Sequence, residues 1–183
     1  MVRSCLIVGV LMLAHISNAL AAGSDSMQAT LAGLTGVYLV VERNDPVAVE
    51  DGLKLSTIKA DIEIRLRGTG IRLLSEAERL LAPDSPSLYL RMHSLKNVDA
   101  PFYAYCIVLE LAQRVKLVRD PGLSGVAVTW ESRGMVHASG APNPLSVRRE
   151  ARDRVDEFIH AYRTANEKQA DQKLKDGRKG VIE

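Results

Sequence analysis

Ser56 and Lys59 stand at the Ser-x-x-Lys spacing. One turn of helix there brings an amine to a serine hydroxyl, the arrangement penicillin-recognising enzymes use for acyl transfer. No Ser-Asp-Asn or Lys-Thr-Gly follows, and a helix cap accounts for Ser56 without any chemistry. Cys106 with His93 or His137 has the makings of a thiol nucleophile and its base. Cys106, however, falls in mid-strand among Ala104 and Val108, where cysteine serves as a small apolar residue. His93, His137 and His160 are too far apart in the chain to show the short ligand spacings of zinc sites. The pairs Asp61/Glu63, Glu76/Glu78 and Asp156/Glu157 could act as acid and base, but each falls on a helix face patterned for solvent. Gly68, Gly70, Gly122, Gly125 and Gly134 are scattered at turn positions and form no phosphate-cradling loop. This reading assigns no catalytic, cofactor-binding or metal-ligating residue and implies no cofactor.

The elements that would carry these side chains follow from periodicity. Val37 to Val41 is a short β-branched run ended by the turn chemistry of Asn44-Asp45-Pro46. Ser56 is expected to cap a helix with Ile58, Ile62 and Leu66 on one stripe, stopped by Gly68-Thr69-Gly70. Ile71 to Leu74 reads as a second strand, and Ser75 to Glu78 has the capping-box spacing for a short helix, Glu76 to Leu81. Leu88, Leu90 and Met92 alternate with Tyr89, Arg91 and His93. A longer alternation sets Tyr103, Tyr105, Ile107, Leu109 and Leu111 against Ala104, Cys106, Val108 and Glu110. It runs on through Val115 and Leu117 to Arg119, far enough to require a bend or bulge near Gln113. Asp120-Pro121-Gly122 is the expected turn of a long hairpin, and Val126, Val128 and Trp130 share one face of its second strand, with Val126 and Val128 near Leu117 and Val115. Gly134 to Ala141 reads as a loop. Asn143 then caps a helix with Pro144 at its first position and an apolar stripe of Val147, Ala151, Val155, Phe158, Ile159 and Tyr162.

Residues 1–21 carry a secretory address: Arg3, the apolar run Cys5 to Ala14, and Ala19-Leu20-Ala21 as the cleavage signature. The run meets His15 and Ser17 before it is long enough to anchor, so the reading is cleavage near Ala21 and a periplasmic or secreted product with no transmembrane span. Roughly 160 residues remain, enough for one core. Residues 22–33 read as a flexible lead-in, 34–163 as a single domain and 164–183 as a charged flexible tail. Cys106 is then the one cysteine left, which excludes an internal disulfide. Lys and Arg number 24 against 22 Asp and Glu, and the even mixing of signs gives no nucleic-acid partner. The fold class expected is α+β: a two-layer sandwich with a mixed, mostly antiparallel sheet, a long β-hairpin and two main amphipathic helices on one face.

Leu34-Thr35-Gly36-Val37-Tyr38 with its following helix, Tyr103-Ala104-Tyr105 opening the hairpin, and Arg148 to Tyr162 as closing helix form an ordered set. In topology this set resembles the periplasmic α/β modules typified by the amino-terminal domain of the TolB protein, and outer-membrane accessory proteins that activate peptidoglycan synthases. The resemblance spans Leu34 to Tyr162 and implies a non-catalytic envelope module. It carries no functional residue across, and the chain lacks the lipid-acceptor cysteine of lipidated members.

Arg114, Lys116 and Arg119 fall on the outer half of the hairpin, with Arg133 expected to approach from the next strand. Such a cationic fingertip suits an acidic protein surface or peripheral contact with anionic lipid. Tyr103, Tyr105 and Trp130 offer large amphipathic rings for recognition, though period-two spacing places them in the core. The function expected is a non-catalytic binding or assembly module of the bacterial cell envelope that meets a protein partner through a sheet edge or the hairpin. The alternatives are a small secreted hydrolase with an unrecognised site and a periplasmic small-ligand domain.

Overall fold

Alternation on the strands and three- to four-residue stripes on the helices converge on one apolar layer. A computed structural model describes residues 26–42, 53–96, 102–139 and 143–179. The leader at 1–21 and the Asn44-Asp45-Pro46 turn lie outside them. The fold is α+β, with order β1 (Tyr38–Val41), α1 (Leu55–Gly68), α2 (Glu76–Leu81), β2 (Ser87–Lys96), β3 (Phe102–Leu117), β4 (Asp120–Ser139) and α3 (Pro144–Lys179). The sheet is mixed, in the order β1-β2-β3-β4. β1 pairs parallel to β2, and the other neighbours are antiparallel.

Register aligns the core face. Leu39 lies beside Leu88, Leu88 beside Leu111, Leu90 beside Leu109 and Met92 beside Ile107. Across β4, Leu111 faces Trp130. Against this layer pack Ile58, Ile62 and Leu66 of α1 and Val147, Ala151, Val155, Phe158 and Ile159 of α3, all buried. Trp130 meets the Phe158 ring edge-on with centroids 5.2 Å apart. The two helices are tied to each other by Arg65 with Asp156 and by Arg148, whose guanidinium donates to Asp61 Oδ2 at 2.7 and 3.0 Å.

Several expectations need correction. Ser56 caps nothing: α1 starts two residues earlier than such a cap requires, at Leu55, with Lys54 at the cap position and no side-chain cap bond. Ile71 to Leu74 is a single bridge, Val37 to Leu73, because the Ser75 capping box starts α2 at once. The hairpin turns at Val118-Arg119, since Leu117 pairs with Asp120. Asp120-Pro121-Gly122 instead forms a local kink within β4, where Asp120 Oδ1 accepts from Gly122 N–H at 3.0 Å. Val115 therefore faces Gly125, not Val126 or Val128. Residues 134–139, expected as loop, extend β4, and Gly134 lies on the core face opposite Ile107. A Cβ at Gly134 would collide with the Glu150 carboxylate, so the glycine is where α3 crosses the strand closely.

The termini also differ. Within the expected lead-in, Leu31 is fully buried, and Gly33 N–H donates to Asn166 Oδ1 at 3.0 Å while Asn166 Nδ2 donates to Leu31 O at 3.3 Å. Within the expected tail, α3 continues to Lys179, with Ala165 buried and 170–176 wholly exposed. Leu31 and Ala165 both join the core, and the Asn166 bonds tie the two segments to each other.

Candidate functional site

β2 accompanies β3 only as far as the pair Ser87 and Ala112. Beyond it, Gln113 to Val128 continues as a two-stranded finger. A bulge sits at its base: Leu111 pairs with Trp130 but Ala112 with Val128, leaving Thr129 as the extra residue. Gln113 Nε2 fills the break, donating to Thr129 Oγ1 at 2.7 Å and to Thr30 O at 3.2 Å. The sequence called for such an irregularity near Gln113, and its consequence is large. One inserted residue flips the alternation, so Trp130 is buried while Val126 and Val128 are 75% and 46% exposed.

The finger consequently carries apolar side chains in solvent. Val118 at its turn is 99% exposed and Leu123 53%. Arg114, Lys116 and Arg119 are exposed among them. Arg114 and Lys116 share a face by alternation, opposite Val126 and Ser124. The arrangement is amphipathic at short range: cations that attract an acidic surface beside methyl groups that gain from leaving water.

Arg133 does not join this group. It stands opposite Val108, seven residues from Val126, or about 23 Å along a strand. Its partner is Glu131 at 2.9 Å, and this hydrogen bond is the main cause that raises its pKa, with the Glu131 charge adding to it. Arg133 belongs to a charged ladder on the sheet face that the helices leave open. There Arg91 reaches Glu42 at 3.1 Å and also Glu110, and its guanidinium lies 5.2 Å from the Tyr89 ring centre. Burial pulls the Arg91 pKa down, but the Glu42 hydrogen bond and the charges of Glu110 and Glu42 outweigh it and the net shift is upward. Sequence reading missed this ladder; its signal was the charge at Arg91 and Glu110 on the outward half of both alternations.

The remaining candidates separate. Ser56 and Lys59 are exposed on α1, where Lys59 Nζ lies 3.9 Å from Glu63. Asp61 holds Arg148, Glu78 serves the α2 cap and Arg72, Asp156 binds Arg65, and Glu157 meets Ser132 and Arg154. These carboxylates are structural partners. Tyr105 and Trp130 are core residues, at 0% and 7% exposure, and form no surface patch. His160 is exposed on α3. His93 and Cys106, by contrast, are register partners on the open face, and His137 stands opposite Ala104.

A recess of about 330 Å³ opens between the amino-terminal turn and α3, lined by Gln28, Ala29, Ala32, Ala165, Lys168 and Gln169. It holds no carboxylate, imidazole or thiol, so it offers no acid–base pair. Among the described residues no helix is long and apolar enough to cross a membrane. Comparison with protein-family models and with curated proteins gives no match to this chain.

Proposed function

We propose that the chain is an exported, non-catalytic binding or assembly module of the bacterial cell envelope, engaging a protein partner through the finger Gln113 to Val128. The reading is carried by one observation: Val118, Leu123 and Val126 stand in solvent beside Arg114, Lys116 and Arg119, on the part of the sheet that projects past β2. A solvated end that served only to discourage edge pairing would need the charges but not the apolar residues. Cations steer the approach and the apolar side chains hold the contact once water leaves. The leader at 1–21 and the topological likeness to TolB-type and synthase-activating modules support an envelope setting.

Proximity crosslinking in the native envelope tests the reading. One partner should be recovered by the wild-type chain and lost by the triple variant R114E/K116E/R119E. Equal recovery by the charge-reversed chain would remove the finger from the interface, and adducts to anionic lipid alone would replace the protein partner with a membrane surface.

A further inference from the structure

The open face of the sheet carries a second arrangement, on residues the finger does not use. Along β3, Tyr105, Ile107, Leu109 and Leu111 fill the covered side at 0% exposure. Cys106 lies between the first two and faces the other way. Its register partners are His93 on β2 and Met135 on β4. Residues directly opposite one another in antiparallel strands share a face, so an imidazole, a thiol and a thioether stand in one row across three adjacent strands. His93 is exposed, Met135 is 57% exposed, and Cys106 is a half-buried free thiol. A core role, the ordinary explanation for a mid-strand cysteine beside a methionine, does not fit side chains turned away from the core.

The chemistry of the row is specific. Thiolate and imidazole serve both monovalent copper and zinc, but zinc sites are built from Cys, His and carboxylate, so the soft thioether tips this row toward monovalent copper, whereas hard cations want oxygen ligands. Opposed Cβ atoms in such rows lie about 4.5 to 5.5 Å apart. The methionine sulfur lies two bonds past its Cβ and the imidazole nitrogens two or three, so both flanking groups can reach back over the shorter cysteine between them. The neighbouring row sets Arg91 and Arg133 on either side of Val108.

We propose that His93, Cys106 and Met135 form a surface site for a single Cu(I) ion. On binding, a copper–sulfur bond forms at Cys106 as the S–H bond breaks, the proton goes to solvent and no electron is transferred. The site is independent of the finger and requires no partner protein.

The test uses the full chain, reduced and kept under inert gas, in competition for Cu(I) with the coloured chelator bathocuproine disulfonate. Wild type should withdraw one copper per chain. Cys106→Ala should abolish the transfer, and Met135→Leu and His93→Gln should each weaken it at least tenfold. X-ray absorption of the loaded protein should show two sulfur neighbours and an imidazole nitrogen. Met135→Leu and His93→Gln preserve size and leave the core untouched, so the test does not depend on how the cysteine variant folds. Failure of wild type to take copper from the chelator would overturn the proposal. So would wild-type affinity in both conservative variants, because it would reduce the site to one reactive thiol.

Discussion

Gly36 and Gly134 look alike in the sequence and differ in what surrounds them. A Cβ at Gly36 would lie 2.6 Å from the Arg72 carbonyl oxygen, which is fixed by accepting from Val37 N–H at 2.9 Å. At Gly134 the obstacle is the far end of the Glu150 side chain, which can swing aside at the cost of its 3.1 Å contact with Arg154. Gly36→Ala should therefore cost about 2–3 kcal/mol in urea unfolding and Gly134→Ala about 1 kcal/mol; the reverse ranking would contradict the account. Glu78 makes a second test. Its hydrogen bonds from Ser75 hold its carboxyl below the usual carboxylate range. A lowered folded pKa means a contribution present at neutral pH and lost as pH falls through that pKa. An NMR titration should place the Glu78 midpoint below 4.5, its ordinary value, with α2 amide protection falling in step, and Glu78→Gln should leave that protection flat across the same range. Residue-scale signals were legible where they are local. The Ser75 box and the Asn143 cap, whose Oδ1 accepts from Leu145 N–H at 2.9 Å, use only neighbours in sequence. Ser56 misled because a serine near a helix start is a cap only if the first turn begins after it.

At the scale of elements, stripe and alternation located α1, β2, β3 and α3, because each buries one face against the same layer, whereas α2 buries no residue and was marked by its Ser75 capping box. What sequence could not place was the pairing. The strongest turn chemistry, Asp120-Pro121-Gly122, became a kink inside β4, while the chain reversed at Val118-Arg119. Thr129 as the extra residue undid the common face read for Val126, Val128 and Trp130. Cys106 and His93 drew attention by residue type, but their place in one row with Met135 did not show for the same reason, since cross-strand register is not written in one strand. The bulge is held from outside the hairpin: Gln113 ties Thr129 to Thr30. Gln113→Ala should cost about 1–2 kcal/mol by stranding those acceptors, and hydrogen exchange at Leu31 and Gly33 should quicken more than at Ile107. Uniform acceleration would show that the bulge does not anchor the amino-terminal turn.

Across the whole molecule, composition read both ends as unattached, and that is where the account changes most. Segment 26–33 and the α3 turn around Asn166 each bring only a few small or isolated apolar residues, Leu31 and Ala165 among them, to the core, so neither periodicity nor hydropathy reports that they bind each other. Ending the chain after Gln169 removes only exposed side chains through 176 and should change stability by less than about 0.5 kcal/mol. Ending it after Tyr162 removes buried Ala165 and the Asn166 bonds and should cost about 2–4 kcal/mol. The central claim is that the finger is the working surface. Oxidative footprinting compares the purified chain with the same chain in intact envelopes, reading Leu123 and Val126 against Ile64 and Leu174, which are 70% and 64% exposed elsewhere. The account predicts that Leu123 and Val126 lose labelling in the envelope while Ile64 and Leu174 keep theirs. Equal labelling of the finger in both settings would contradict it.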